Sequence, residues 1–568
     1  MDIRGEVMNF VLGICNDETS SACILSENDL IAAASEERFT RVKADTSWPT
    51  KSIEFCLDQA GVGFDDLQAI CYSWVSQTAD RDLLSIYASR IAYEALNNPS
   101  GLSILQERIE TELIQDKTNW DEWTRFISDN GISDKVFIAD HHEAHAFSAF
   151  SFSPFDDALV VTADGRGDFI SLSVSFIDST GAHEILYRAT SADSLGFFYG
   201  RITSLLGFRP HRHEGKVSGL AAHGNPRHLL GLMDQMISFK DGHLYGQLGE
   251  FYRPFYSNFS ESLVDRINAE KPEDVAAAAQ QHLEDCVTKL VRFYLDSVET
   301  KNICLAGGVF ANVKVNQLIR EMDGVDNIFV QPQMGDGGLC LGSAAKYRFA
   351  EASPKITMRN MYLGPSYSSG EISDILAKEN TLRFTKPENC SRAIVDLLTK
   401  NFVVGLFQGR MEFGPRALCN RSIIYHCKDK TINQWLNKRM DRTEFMPFAP
   451  VTLKELGSEC YLDWEETHIS SEYMTATYYC TEFMMNHCPA TVHVDGTARP
   501  QIISKENNPF MHKLLKEYFE QTGEPALINT SFNRHEEPIV LDPHHALAAL
   551  KDGMIDALAI EDFLVFRD

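Results

Sequence analysis

The sequence runs to 568 residues, more than a single hydrophobic core usually serves, so two or more domains are expected. Hydrophobic and charged contents of 44% and 23% are ordinary for a globular protein, and a net charge of −28 without a dense basic run argues against nucleic acid or an anionic membrane as partner. Thirteen scattered cysteines with no C-x-x-C pair read as reduced, mostly buried thiols rather than a disulfide framework.

The opening "MDIRGEVMNFVLGIC" has no signal-peptide pattern, and no apolar stretch has bilayer length, so a cytoplasmic protein is expected. The globular part is expected to start near Met8 with a strand. "FVLGICNDETSSACIL" (10–25) reads as strand, turn, strand, with Asp17 and Glu18 in the turn. "EERFTRVK" (36–43) follows and ends on Lys43. Residues 80–130 are helix-rich and read as an insertion.

"DHHEAHAFSAF" (140–150) sets His141 and His145 four apart, on one face of a helix. His142 points off that face, and Glu143 is expected to be solvated. Alone the pair says little, because eighteen histidines produce such spacings by chance. "DALVVTADGRGDFISLSVSF" (157–176) repeats the hairpin grammar, its turn carrying Asp164, Gly165 and Gly167. Turns of this kind can set backbone N–H groups and a carboxylate beside a phosphate. "HEGKVSGLAAHG" (213–224) contributes Lys216 as a phosphate or carbonyl contact.

Residues 273–300 keep a 3.6-residue apolar period and read as a core-facing helix. "KNICLAGGVFANVKVNQLI" (301–319) and "NIFVQPQMGDGGLCLGSAA" (327–345) read as strand, loop, helix. In the first, Gly307 and Gly308 would let a nucleotide approach the backbone, with Asn312 at the loop's end; the second carries Asp336. Pro, Ser and Gly cluster at 349–371, placing a boundary near 352–362 and domains at 1–355 and 356–568.

Beyond the boundary, basic residues gather against the acidic background: Arg410, Arg416 and Arg421, then Lys438, Arg439 and Arg442, then Arg499, with Asn529 and Ser531 in "INTSFN". Guanidinium forks grip phosphate oxygens in pairs, so this half reads as a polyanion site. Pairing with the chain's many acids is the competing fate of the same residues.

In this order, "EERFTRVK", "HHEAHAFSAF", "EGKVSGLAAHG", "AGGVFANVKVN", "QMGDGG", "GPRAL", "FMPFAPV", "DGTARPQ" and "NTSFNRHEEPIV" resemble the NodU/CmcH family of O-carbamoyltransferases over nearly the whole chain. The resemblance implies an α/β protein: an actin-like ATPase (Kae1-like) domain followed by a YrdC-like α/β domain. It implies a divalent metal held by His141, His145, Asp164 and Asp336, with Fe²⁺ the family's ion and Zn²⁺ or Mn²⁺ equally suited to the ligand types. It also implies ATP, escorted by Mg²⁺, and carbamoyl phosphate combining in the second domain to give carbamoyl-adenylate. The carbamoyl group would then pass to a hydroxylated small-molecule or glycan acceptor, with Asp17, Glu18, Lys43 and Lys216 as candidate catalytic residues. Gly165, Gly167, Gly307, Gly308 and Asn312 would line the nucleotide in the first domain. Arg416, Arg421, Arg439, Arg442, Arg499, Asn529 and Ser531 would do so in the second. The chain departs from the family in reading Met440 and Met446 where many members have a lysine and an arginine, and Glu18 and Thr19 where many have His-Asp. A threonylcarbamoyl-type transferase, an actin-fold small-molecule kinase, a non-catalytic homologue and a homodimer all stay open.

Overall fold

The computed structural model describes residues 9–75, 81–255, 259–351, 355–442 and 446–567, so Met8 and the first three residues of the expected boundary lie outside them. The chain separates into two compact units. Residues 1–32 and 46–357 form one, and residues 33–45 and 358–568 the other.

In the first unit, the two sequence hairpins found two sheets of matching strand order. β1 (Phe10–Cys15), β2 (Ser21–Ser26), β3 (Asp29–Ser35), β4 (Leu67–Tyr72) and β5 (Val136–Ile138) are ordered β3-β2-β1-β4-β5. β6 (Asp157–Gly167), β7 (Ile170–Asp178) and β8 (His183–Thr190) start the second sheet. A separate hairpin, β9 (Ile237–Lys240) and β10 (His243–Gly246), comes next, before β11 (Asn302–Ala306) and β12 (Asn327–Val330) complete that sheet in the order β12-β11-β6-β7-β8. In each, an antiparallel hairpin is extended on its first strand by parallel strands: β1 pairs β4, and β6 pairs β11. The duplicated order is the one an actin-like fold requires.

Helix His141–Phe150 lies against β6, β7 and β11, and helix Leu339–Ala350 against β1, β2 and β4, while the two helices pack on each other. Their approach is very close. A Cβ at Gly342 would stand 1.6 Å from the Ala144 carbonyl oxygen, so no side chain fits there. Buried strands give each half its own apolar core, Leu12, Ile14, Ile24 and Tyr72 in one and Leu159, Val161, Leu305 and Phe310 in the other. The expected insertion is two helices, Arg81–Asn97 and Pro99–Asn130, and the helix expected over 273–300 runs from Pro272 to Leu295.

The second unit is built on one eight-stranded sheet. Its strands are β13 (Leu382–Thr385), β14 (Val404–Phe407), β15 (Arg421–Tyr425), β16 (Ala449–Leu453), β19 (Gln501–Ile503), β20 (Ala526–Ser531), β21 (Ala557–Ile560) and β22 (Phe563–Arg567), while β17 (Tyr478–Tyr479) and β18 (Thr497–Ala498) pair apart from it. The sheet order is β13-β22-β21-β14-β15-β20-β16-β19, with helices such as Cys390–Leu398 and Pro509–Thr522 packed on it. The segment 33–45 joins this unit through Arg41, whose guanidinium donates to the Pro538 and Ile539 carbonyls, each at 2.7 Å. None of the thirteen cysteines is in a disulfide. Among the described residues no helix is long and apolar enough to cross a membrane.

Candidate active site and metal centre

Three distant stretches meet at the start of helix His141–Phe150. Asp140 caps that helix, its Oδ1 accepting from the Glu143 N–H at 2.7 Å while Arg188 holds its Oδ2 at 2.6 Å. Asp168 accepts the His141 N–H at 2.8 Å. The first turn is therefore fixed from two sides, which aims His141 and His145 inward. Asp164 arrives from β6, at an irregularity in the β6–β7 register between Ala163 and Gly167; such a bulge re-aims a side chain. Asp336 sits in the turn leading into helix Leu339–Ala350.

Asp164 Oδ2 lies 2.8 Å from His141 Nε2 and 3.4 Å from His145 Nε2, and Asp336 Oδ1 lies 3.9 Å and 3.5 Å from the same two nitrogens. Ligands about 2.0–2.2 Å from a single ion stand about 3.0–3.5 Å from one another, so the four are spaced to share one. Both imidazoles are fully buried, and among the described residues no hydrogen bond of ordinary geometry meets His145 Nε2 or Asp164 Oδ1. Buried polar atoms without partners are costly, and a divalent cation would satisfy these. Two imidazoles and two carboxylates suit a borderline divalent ion. The donor set fits the expected metal.

The charges around this centre are strongly coupled. Burial opposes a charge on His145, yet the two carboxylates facing it, Asp164 and Asp336, lift it to about 9. His142 is pushed by burial down to about 4 and bonds Thr162 Oγ1 through Nδ1 at 2.8 Å, a supporting role beside the metal pair. Asp17, in the β1–β2 turn, is raised well above the carboxylate range by burial, by Asp336 and by Glu18. Glu143 is not solvated: it pairs with Lys346 and is mostly buried. Hydrophilic residues one helical turn from an active face can equally serve the neighbouring helix.

The glycines divide. A Cβ at Gly167 would fall 2.0 Å from His141 Cγ, so this residue cradles the imidazole rather than a phosphate. Gly307, at φ +97°, brings its loop onto β6, where a Cβ would meet the Ala163 carbonyl oxygen at 2.2 Å. Gly165 has the ring of Phe197 at 3.2 Å from its Cβ direction, and Gly308 faces open space. Asn312 caps helix Val313–Arg320 and exchanges hydrogen bonds with Gln280. Lys216 is buried on helix Glu214–Ala221. Lys43 lies in the segment grouped with the second unit, 3.3 Å from Glu37 Oε1.

In the second unit several of the expected phosphate arginines have partners within the fold. Arg421 is fully buried. Its guanidinium donates to the carbonyls of Gln408, Asn420, Pro365 and Gly409 and lies 3.6 Å over the Phe407 ring. Arg439 forks onto Asp556 at 2.7 and 3.1 Å, and Arg442 donates to Thr530, Ser531 and Asn533 at the end of β20. Arg416 and Arg499 are half-buried. Asn529 ties their loops together, its Nδ2 reaching the Ala417 carbonyl at 3.1 Å and Gln501 Oε1 at 2.6 Å. Ser531 accepts from Arg442 at 3.0 Å. Glu412, which the sequence reading passed over, organises the Arg416 loop: its Oε1 accepts the N–H groups of Leu418, Asn420 and Arg421 at 2.7, 2.8 and 3.0 Å. Met440 is wholly inside the apolar core, where a charge could not stand unpaired.

A model of the carbamoyltransferase N-terminus matches residues 11–345, and one of the carbamoyltransferase C-terminus matches residues 395–567. The chain belongs to the carbamoyltransferase family. An uncharacterised protein of Methanocaldococcus jannaschii is 30% identical to this carbamoyltransferase over 98% of the chain and 99% of its own length. The nodulation protein NolNO of Sinorhizobium fredii is 29% identical over 96% and 78%, and NolO of Bradyrhizobium diazoefficiens 31% identical over 75% and 78%. Among solved structures, component A of the Acidaminococcus fermentans (R)-2-hydroxyglutaryl-CoA dehydratase aligns at 16% identity with a TM-score of 0.33, covering 61% of this chain and 99% of its own. Full-length HypF in its phosphate- and nucleotide-bound form aligns at 12% with a TM-score of 0.33, covering 62% and 57%.

Proposed function

We propose that this carbamoyltransferase joins carbamoyl phosphate to ATP as carbamoyl-adenylate in the second unit and passes the carbamoyl group to a hydroxyl of a small-molecule or glycan acceptor in the first. The observation that carries this reading is the His141–His145–Asp164–Asp336 quartet, three of its members buried and Asp336 half-buried, standing within the stretch matched by the carbamoyltransferase N-terminus. A divalent ion there, Fe²⁺ by the family resemblance, would supply Lewis acidity toward a phosphate or carbonyl oxygen. Water cleaves carbamoyl phosphate to carbamate and inorganic phosphate, and a carbamate oxygen then attacks the α-phosphate of ATP as pyrophosphate departs, with Arg416 and Arg499 neutralising charge on the nucleotide and Mg²⁺ escorting it. Asn529 keeps their two loops in register. Lys216 and the loop after β11 hold the adenylate, and open space at Gly308 suits close approach of the nucleotide. The acceptor oxygen bonds to the carbamoyl carbon, its proton passes to a base on the 17–18 turn or the 210–215 loop, and AMP leaves with the electron pair of its bond. ATP and carbamoyl phosphate both point to a cytoplasmic setting.

Incubation with ATP and carbamoyl phosphate should release AMP and pyrophosphate, each dependent on carbamoyl phosphate, and add a carbamoyl group in place of a hydrogen on a hydroxylated acceptor. ADP with a phosphorylated product would instead identify a kinase. Nucleotide binding without turnover would identify a non-catalytic homologue.

A further inference from the structure

The base of the transfer step can be narrowed further. The β1–β2 turn leans on the turn that carries Asp336: Ser21 Oγ donates to the Gly337 carbonyl at 2.9 Å, and a Cβ at Gly337 would stand 3.3 Å from Thr19 Cγ2. Within this turn the Glu18 N–H donates to Asp17 Oδ1 at 2.8 Å, and Glu18 turns its own side chain toward the loop before helix Glu214–Ala221. That side chain ends 2.7 Å from His211, Oε1 against Nδ1. His211 belongs to the loop before helix Glu214–Ala221, the helix that bears Lys216.

His211 is held in a conformation few non-glycine residues adopt. Its φ is +64°, and its N–H donates to Glu214 Oε1 at 2.7 Å. Residues forced into the left-handed region persist where surrounding contacts fix them, and they concentrate at working sites. Both members of the pair are partly open to solvent, 45% for the His211 side chain and 53% for Glu18, so a hydroxyl can reach the ring. An exposed carboxylate–imidazole pair adds little stability. Its effect here is on the proton: a carboxylate on Nδ1–H fixes the tautomer with its basic lone pair on Nε2.

We propose that Glu18 and His211 form the proton-accepting pair of carbamoyl transfer, His211 as the base and Glu18 as the residue that orients it. The proposal rests on the transfer reading above. As the acceptor oxygen closes its bond to the carbamoyl carbon, its O–H bond breaks and the proton goes to Nε2, while the bond to AMP breaks with its electron pair on the departing phosphate. The groups facing the ring are Glu18 and Glu214, which favour its charged form, and Arg201, which opposes it together with burial. The hydrogen bond that the ring donates to Glu18 wins, and His211 titrates above its ordinary value.

The test uses the full-length metal-loaded enzyme with ATP and carbamoyl phosphate, and glycerol or water as the hydroxyl. AMP release is followed across pH, with pyrophosphate release measured alongside. Neutral His211 is the active form, so the wild-type rate should rise with pH through an acid limb lying above the usual histidine range. E18Q should move that limb to lower pH. H211Q should abolish it and slow AMP release by about 10²–10⁴-fold, the usual worth of a positioned base. A limb unmoved in E18Q, or H211Q turning over at the wild-type rate, overturns the pair while the transfer reading stands. A wild-type enzyme that releases no pyrophosphate in the presence of carbamoyl phosphate overturns the reading, and the pair with it.

Discussion

Replacing Gly167 by alanine should displace His141, the first histidine of the candidate metal centre, without touching any donor atom. The new Cβ would start 2.0 Å from His141 Cγ and 2.3 Å from both Cδ2 and Nδ1. Carbon atoms rest at about 3.5 Å or more, so the ring would have to retreat by about 1.5 Å. It has little room to do so, since His141 is fully buried, its N–H is held by Asp168, and the Trp74 ring stands 5.2 Å away edge-on. Overpacking of this kind costs about 1–3 kcal/mol of stability. The larger effect falls on the metal, because a ligand constellation tolerates only about 0.5 Å of error. Calorimetric titration of the metal-free G167A protein with Fe²⁺ or Zn²⁺, under anaerobic conditions for iron, should show affinity reduced at least as much as by loss of an orienting partner, about 10–100-fold. Circular dichroism checks that the fold survives. G167A that binds the ion with wild-type affinity and melts at the wild-type temperature would refute the reasoning.

Three other substitutions separate structural from chemical roles. R421K should lower the melting temperature and leave ATP affinity intact, because an ammonium cannot span the four carbonyls Arg421 joins and each one left unpaired costs about 1–3 kcal/mol; unchanged melting with weakened ATP binding would return Arg421 to the phosphate set. E412A should strand three backbone N–H donors in the Arg416 loop, reducing both stability and carbamoyl-phosphate-dependent pyrophosphate release, whereas E412Q, which keeps an acceptor, should recover part of each; wild-type behaviour of E412A would contradict this. Burial tends to raise the Asp556 carboxyl, but hydrogen bonds from Arg439 and the Val403 amide, with the Arg439 charge, hold it below its ordinary value. Its stabilising contribution is thus present above about pH 4 and lost as pH falls through the lower folded value, so the stability gap between wild type and D556N should close in acid. Denaturant melts at pH 7 and below pH 3 check it, and a gap that widened in acid would reverse the sign.

Local pattern and long-range packing were unequally legible in the sequence. The hairpins β1–β2 and β6–β7, and the strand-loop-helix units after residues 301 and 327, follow from apolar runs ending in Asp- and Gly-bearing turns, signals complete within twenty residues. The metal quartet needed more. The spacing of His141 and His145 gives only a pair, and their union with Asp164 and Asp336 was read through the order of motifs along the whole chain. The internal partners of Arg421, Arg439 and Arg442 lie on other strands and loops, so the residues beside each arginine do not distinguish a fork that meets a phosphate from one that meets the fold. The partnership of Glu143 with Lys346 joins residues 203 apart, and that of Glu18 with His211 joins the first hairpin to a loop beyond the first sheet; neither has a local signature. Gly167 and Gly307 were legible as glycines that backbone or ligand must approach closely. What approaches them proved to be the protein itself.

The shared ion is the claim on which the account turns. Metal content after anaerobic loading with Fe²⁺ and gel filtration, measured by mass spectrometry on wild type and on H141A, H145A, D164A and D336A, tests it most directly. About one ion per chain in the wild type, with a parallel loss in all four variants while each retains its fold, is the result expected of a single four-ligand centre. Retention of that ion at wild-type occupancy in D164A or D336A would contradict it.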